Sequence, residues 1–167
     1  MYKLTFALIF LIFSRTFADS DKLSCFPLLY QTGQLYSSDR VTATGAGLGA
    51  GVRLQWNDHY IAQPGISILW ANGNAIESQL AFGYQVGSKW QPQILAVTGL
   101  LWGSRIEILD EEGNRPDIPV WKVGLRLVPL NFRSSEGFVS ALEIGAGIGP
   151  DQGRYMEITL LSAGINW

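Results

Sequence analysis

The chain has 167 residues, of which 47% are hydrophobic and 19 are glycine, and its formal net charge is −2. This composition excludes a disordered chain, because enough apolar surface is present to form a core, and the acidic balance argues against nucleic-acid binding. The length suits one domain. The single cysteine, Cys25, excludes an internal disulfide framework and is expected to be an unpaired thiol.

The N-terminal segment has the order of a secretory signal peptide. A basic start precedes an apolar run over 4–13, and SRTFA follows at 14–18 with the small Ala18 at the predicted cleavage site. The run is too short for a comfortable membrane helix, so we predict a signal peptide over 1–18. Residues 19–27 are polar and irregular and are predicted to be a periplasmic leader. No later segment has ~18 unbroken apolar residues, which excludes a helical membrane protein.

The clearest strand lies over 42–56 and contains GAGLGAGVRLQW from Gly45 to Trp56. Over 45–56 the even positions are apolar, whereas the odd positions are glycine apart from Arg53 and Gln55. Strict alternation predicts a β-strand, and a tilted strand of ~9–11 residues crosses the hydrocarbon layer of a membrane. The glycine-rich face suits the crowded inside of a small barrel. This stretch therefore predicts a transmembrane β-barrel.

Seven other segments continue the pattern and complete the fold prediction. They are 28–36, which is the weakest, and then 60–70, 75–86, 90–103, 120–132, 138–148 and 155–167. Segment 90–103 is apolar on both parities, so its register stays open. Pro64 and Pro129 fall inside predicted strands and imply a bulge or a misplaced boundary, because proline removes a ladder hydrogen bond. The predicted fold is all-β, a single eight-stranded antiparallel up-and-down transmembrane β-barrel over 28–167.

Five charged side chains fall on the inward parity of these strands, and they are the candidate site. They are Arg53, Glu77, Lys122, Arg126 and Glu143. A turn centred between Ser134 and Ser135 places Arg126 directly opposite Glu143 inside the barrel. An unpaired charge in a low-dielectric interior is very costly, so we favour an internal salt-bridge network over a gated pore or a ligand site. In segment 138–148 the same parity places Phe138 outward.

Aromatic residues cluster near the predicted strand ends, which is typical of the interfacial girdles of membrane barrels. They are Trp56, Tyr60, Trp70, Trp90, Trp102, Trp121 and Trp167. An even number of strands puts both termini on one side of the membrane. If that side is the periplasm, the longest connection, 103–119, lies outside.

The last strand carries Ala163, Ile165 and Trp167 on one parity, so the chain ends in an aromatic residue. Together with the signal segment and the short alternating strands, this resembles the small eight-stranded barrels of bacterial outer membranes. The resemblance implies a monomer in the outer membrane of a Gram-negative bacterium, surrounded by lipids including lipopolysaccharide. It also implies that the outer-membrane assembly machinery recognises the C-terminal strand, and that the role is structural or one of surface interaction.

Two alternatives stay open. One is a lipid-modifying outer-membrane enzyme that uses His59, the only histidine, beside Asp58. No Gly-x-Ser-x-Gly turn accompanies His59, so no catalytic residue is predicted. The other is a soluble periplasmic barrel that carries an apolar ligand, with the apolar parity pointing inward. The acidic loop 110–117 lacks the ligand spacing of a calcium loop, so no metal or other cofactor is predicted.

Overall fold

The computed structural model describes residues 23–38, 41–71, 74–103, 107–108, 120–150 and 152–166. They form ten strands: β1 (Leu23–Ser37), β2 (Val41–Trp56), β3 (Tyr60–Ala71), β4 (Asn74–Gln85), β5 (Gln93–Gly103), β6 (Glu107–Ile108), β7 (Val120–Val128), β8 (Leu130–Arg133), β9 (Gly137–Ile148) and β10 (Arg154–Ile165). Within these ranges, no helix is long and apolar enough to cross a membrane. The predicted signal peptide lies outside the described residues.

The strands close into an eight-stranded antiparallel barrel, which confirms the predicted fold class. Each barrel strand pairs with the next along the chain, and β1 closes the barrel by pairing with both β2 and β10. β7 and β8 form one barrel strand that is interrupted at Pro129. The short β6 pairs with the first two residues of β2 at the loop end of the barrel, opposite the chain termini.

Two predicted boundaries are wrong. β1 begins at Leu23, so residues 23–27 belong to the barrel wall and not to a leader. The sequence hides this because the inward side chains of β1, such as Phe26, are themselves apolar and give no contrast between the two faces. β5 begins at Gln93 and not at residue 90, and Gly87 in the preceding connection has a φ of 93°. The register of β5 is now clear, because its odd positions point inward.

The two faces of the wall differ sharply in polarity. Large apolar side chains on the outward positions are exposed, for example Leu29, Leu48 and Ile66. Among the strand residues whose side chains the structure describes, the outward positions carry one charged residue, Arg154, at the edge of β10. The inward positions hold the buried charges. The soluble-carrier alternative predicts that the apolar parity points inward, and that prediction is wrong, because these side chains point outward.

A line of β-bulges crosses three neighbouring barrel strands at one level. At each bulge two successive residues lie between inward positions: Pro129 and Leu130, Ala141 and Leu142, and Leu160 and Leu161. We call these six residues the bulge belt. The three strands keep a constant register with one another across it. Towards β1 the register steps by one residue between Tyr30 and Gly33, where the extra residue is accommodated.

The bulge belt changes which side chains face the interior. Below it, towards the chain termini, Phe138 points inward and is 4% exposed, so its predicted outward position is wrong. Leu142 has a φ of 57°, which is the local backbone change that reverses the parity. Of the two prolines, Pro129 lies at the bulge. Pro64 causes no register change, and the ladder between β2 and β3 is interrupted beside it instead.

Trp90 compensates for part of the interruption at Pro129. Its indole Nε1 donates a 2.7 Å hydrogen bond to the carbonyl oxygen of Pro129. We expect Trp90→Phe to lower the free energy of unfolding by about 0.5–1.5 kcal/mol, the usual contribution of one neutral hydrogen bond. Urea unfolding in detergent micelles, followed by fluorescence, measures the change. Trp121→Phe at the opposite rim is the control, and an equal loss in both variants would count against this role.

Candidate functional site: the charged interior of the barrel

The central ion pair of the interior is formed across a glycine. Arg126 on β7 is the register partner of Gly145 on β9, and Gly145 is the partner of Glu157 on β10. A Cβ atom at Gly145 would lie 2.5 Å from Cγ of Glu157. The missing side chain therefore leaves room for Arg126 to reach over β9. Its guanidinium binds the carboxylate of Glu157 through Nε and NH2.

Lys122 uses a second glycine in the same way. Its register partner on β5 is Gly99, where a Cβ would lie 3.0 Å from both the Lys122 side chain and Oε1 of Glu77. Across this gap the Lys122 ammonium binds the carboxylate of Glu77 on β4. Its Nζ also lies 2.7 Å from Oε2 of Glu157. Lys122 thus joins carboxylates from opposite sides of its own strand.

Neutral polar side chains complete the cluster. The amide of Gln79 accepts a 2.6 Å hydrogen bond from NH2 of Arg126 and donates a 3.0 Å bond to the Tyr30 hydroxyl. Ser162 donates a 2.6 Å hydrogen bond to Glu143, and Gln34 donates to Glu77. A buried charged group requires such hydrogen bonds, because its polar atoms have no water to bind.

Arg53 lies apart from this cluster and has a different set of partners. Its guanidinium carbon lies 3.5 Å above the centre of the Phe138 ring, and Nε donates a 3.0 Å hydrogen bond to Gln63. NH1 donates a 3.2 Å bond to Oδ1 of Asn131. Arg53 is 1% exposed, and among the described residues its charge is held by a cation–π contact and two amides and not by a direct ion pair.

Apolar clusters lie towards both ends of the barrel. Tyr36, Leu69, Leu101, Val120 and Tyr155 pack together towards the loop end. Two further clusters, one around Ile61 and one around Phe26, lie towards the chain termini. In the part of the chain that the structure describes, the buried charged residues are three cations and three carboxylates, because Glu157 joins the five predicted residues. The interior is therefore polar in its middle, balanced in charge, and occupied by apolar side chains towards each end.

The structure corrects the predicted pairing of Arg126. The hairpin between β8 and β9 has Ser135 and Glu136 at its tip, and Ser134 N donates to Gly137 O. This moves the register by two residues, so Arg126 faces Gly145 and not Glu143. The parity is unchanged, and the two charges still lie 3.5 Å apart along a diagonal.

Glu157 is the buried charge that sequence analysis missed. The parity of residues 161–165, taken from the C-terminal end, would place Glu157 outward. The bulge at Leu160 and Leu161 reverses the parity, so Glu157 points inward and is 2% exposed. The signal that could have found it is the alternation in 154–159, where Tyr155, Glu157 and Thr159 share one face.

The predicted girdle residues divide between the two ends of the barrel. Trp70, Trp102 and Trp121 lie at the loop end, and Trp56, Tyr60 and Trp90 lie at the end of the chain termini. Trp56 is 1% exposed because it stacks on Tyr60 and packs against Phe82, whereas Trp70 and Trp90 are about half exposed. Trp167 lies outside the described residues.

The residues of the enzyme alternative are engaged elsewhere. The Asp58 carboxylate accepts a 3.0 Å bond from Arg133, and the His59 ring stacks on Tyr84. His59 Nδ1 lies 3.3 Å from the carbonyl oxygen of Gln85. In the ranges that the structure describes, no cluster of three His, Cys, Asp or Glu residues is arranged to hold a metal ion. The acidic loop 110–117 lies outside those ranges.

Comparisons with known proteins identify the fold and no sequence family. No protein-family model matches the chain, and a search of the curated proteins finds no match. Solved structures do match. Neisserial surface protein A (NspA) aligns with a TM-score of 0.63 at 9% sequence identity, covering 88% of this chain and 100% of that one.

Two further structures agree with the first. The N-terminal β-barrel domain of Pseudomonas aeruginosa OprF aligns with a TM-score of 0.59 at 14% identity, covering 86% of this chain and 97% of that one. Ail, the attachment invasion locus protein of Yersinia pestis, gives 0.54 at 10% identity, covering 86% and 98%. These proteins are small eight-stranded outer-membrane barrels, so the predicted resemblance is confirmed at the level of the fold.

Proposed function

We propose that this protein is a small structural barrel of the Gram-negative outer membrane whose loop end serves surface interactions. The observation that carries the proposal is the polarity of the wall, with paired charges inside and exposed apolar side chains outside. Monomeric soluble proteins rarely expose so much contiguous apolar surface, whereas lipid covers it. The likeness to three outer-membrane barrels supports the same location.

The positions of the aromatic residues support a membrane-spanning wall. Tyr60 and Trp70 lie at opposite ends of β3, ten residues apart. At ~3.3 Å per residue and a tilt of ~45°, they are separated by ~23 Å along the barrel axis. An apolar band of ~25 Å flanked by aromatic girdles is typical of transmembrane barrels.

The proposed orientation places the chain termini in the periplasm and the loop end outside. In this arrangement outer-membrane lipids, including lipopolysaccharide, surround the wall of a monomer. The assembly machinery engages the C-terminal strand, β10. Apolar clusters lie between the charged residues and each end of the barrel and separate them from water. The salt-bridge network therefore serves to fill and rigidify the barrel and not to bind a solute.

Cell fractionation and gel mobility test the membrane proposal. Cells expressing the full sequence are fractionated, and the membranes are run on a gel with and without boiling. We expect the protein in the outer membrane, with a mobility that changes on boiling because the closed barrel resists detergent until heated. A soluble periplasmic protein without a mobility change would contradict the proposal.

Conductance measurements test the filled interior separately. We expect the purified barrel in planar lipid bilayers to give no sustained ion current, because side chains occupy the interior. A steady current that persists in the unmodified protein would contradict the structural role and favour a pore.

A further inference from the structure

An ion pair spans the mouth of the barrel at the end of the chain termini. Arg133, at the end of β8, donates a 3.0 Å hydrogen bond to the carboxylate of Asp58 in the turn between β2 and β3. Around the mouth, the β4–β5 connection separates these two hairpins on one side, and the chain termini separate them on the other. The ion pair therefore joins opposite sides of the barrel.

A column of stacked groups continues from this ion pair into the interior. The guanidinium carbon of Arg133 lies 5.5 Å from the centre of the Phe26 ring, which is within the range of a cation–π contact. The Phe26 ring packs edge-on against Phe138 with their centroids 5.7 Å apart, and Phe138 contacts the guanidinium of Arg53. Phe26, which is 1% exposed, thus lies between the cation at the rim and the buried Arg53.

The strand segment that carries Phe26 is held on one side only. Residues 23–27, which we call the lid segment, pair with β2 along their whole length. The described ladder between β1 and β10 begins only at Leu28. A chain end with few backbone hydrogen bonds opens at a lower free-energy cost than the rest of a fold. The contacts of the Phe26 ring are therefore important for keeping this end of β1 closed.

Polar groups beneath the lid segment favour an open state, because they lack hydrogen-bond partners when it is closed. Within the described residues, no acceptor binds Nη2 of Arg53, Nδ2 of Asn131 or Nε2 of Gln55. Each of these residues is at most 3% exposed. A buried donor without a partner is costly, and water that reaches it removes the cost. The contacts of Phe26 and Arg133 offset this cost in the closed state.

The backbone of the β2–β3 turn supports a role for the Asp58 side chain. Asn57 and Asp58 have φ of 52° and 59°, and the second central position of a turn with two positive φ values favours glycine. Glycine would fit the backbone better there but could not bind Arg133. The ion pair is what the carboxylate at this position provides.

We propose that the lid segment and the Asp58–Arg133 ion pair form a gate, which opens to admit water and small molecules as far as Arg53. The open gate leads to a blind vestibule and not to a pore, because the cluster of Tyr36 and Tyr155 still fills the loop end. This inference goes beyond the proposed structural role. It rests on that role only for the compartment, since the proposed orientation makes the gate open to the periplasm. Salt screens an exposed ion pair, so high ionic strength favours opening.

Labelling of a buried cysteine tests the gate. The full chain with Cys25→Ser and Ser140→Cys carries one thiol beside Asn131, because Ser140 is 0% exposed and donates to that residue. The folded protein in detergent micelles is treated with 2-sulfonatoethyl methanethiosulfonate, and mass spectrometry measures the labelling rate. We expect Asp58→Gly to raise the rate about three- to fivefold, because an exposed ion pair shifts an equilibrium by no more than this. Sodium chloride at about 0.5 M should raise the rate about twofold with Asp58 present and have no effect after Asp58→Gly.

Val120→Cys, in the cluster at the loop end, is the matched control, and its labelling should not respond to Asp58→Gly. The urea midpoint should also change little with Asp58→Gly, because glycine relaxes the turn while the ion pair is lost. Equal labelling of Ser140→Cys with and without Asp58→Gly would overturn the gate. An equal increase at Val120→Cys, or a fall in the urea midpoint that accounts for the faster labelling, would overturn it as well, because the whole barrel would then have loosened. If Ser140→Cys lacks the heat-dependent mobility change, Gln55→Cys reports from the same end of the interior.

The heat-dependent mobility of the unmodified protein separates the two proposals. If the mobility change is present and labelling does not depend on Asp58, the gate is wrong and the membrane barrel stands. If the change is absent and the protein is soluble, the membrane proposal fails, and the labelling rates still decide whether the gate exists.

Discussion

Arg126→Met is expected to lower the free energy of unfolding by about 3–5 kcal/mol, measured by urea unfolding of the barrel in detergent micelles. Arg126 contacts the carboxylates of Glu157 and Glu143, which are each 2% exposed. Removing the guanidinium leaves two buried negative charges, of which Glu157 keeps only Lys122. Native proteins are stable by about 5–15 kcal/mol, so this loss is a large fraction of the total.

Two further variants make the result for Arg126 specific. Arg133→Met removes an ion pair with Asp58 at the rim, where Asp58 is 57% exposed, and should cost at most about 1 kcal/mol. Adding Glu157→Gln to Arg126→Met should recover part of the loss, because it removes the charge left without its main partner. Similar losses at Arg126 and Arg133, or strictly additive effects in the double variant, would show that the interior pair is not a cooperative unit.

Gly47→Ala is expected to be the most harmful change in the wall, with a loss of about 3 kcal/mol or failure to close the barrel. The added Cβ would lie 1.8 Å from the Ile68 carbonyl oxygen and 2.9 Å from Cα of Leu69. Both are backbone atoms of the neighbouring strand, so no side-chain rotation can relieve the overlap. The β2–β3 ladder itself would have to separate.

Gly33→Ala is the matched control for Gly47→Ala. It makes the same chemical change on an adjacent strand, where the nearest atom would be at 3.8 Å. It should be neutral or slightly stabilising, because alanine restricts the unfolded chain more than glycine does. Heat-dependent mobility and urea unfolding of the two variants measure the difference. If both glycines tolerate alanine equally, the close approach of β2 and β3 is not required for the fold.

The inward residues of a strand can be predicted from sequence where its two faces differ in chemistry. In β2, β3 and β4 the apolar and small or polar residues alternate, so parity alone places Arg53 and Glu77 inside. In β1 parity gives no such prediction, because Phe26 and Leu28 make the inward face as apolar as the outward one. Burial in the interior and exposure to lipid both select apolar residues, and sequence cannot separate them there.

The register and partners of the charged cluster depend on features with weak sequence signals. The Arg126–Glu143 prediction rested on the centre of one turn, and a shift of that centre moved the partner by two residues. Glu157 is not predictable from the C-terminal parity, because the bulge that reverses this parity is formed by Leu160 and Leu161, without a glycine or proline to mark it. Gly145 lies between Arg126 and Glu157 in the ladder, and because it has no side chain the two charged groups meet across it. This arrangement is evident only from the three-dimensional structure.

The bulge belt also constrains how the length of this chain can change. Each of the three strands has one additional residue at the same level. The difference is absorbed on one side in the β1–β10 ladder and on the other between the β5–β7 ladder and the bridge of Trp90 to Phe132. Deleting Leu160 alone would leave one residue between the inward Thr159 and Ser162, so Ser162 would lose its register with Ser140 while β9 kept its own extra residue. A viable shorter barrel must instead lose one residue from each of the three strands together. The three extra residues are therefore expected to be kept or lost together, although they are spread over more than thirty residues of sequence.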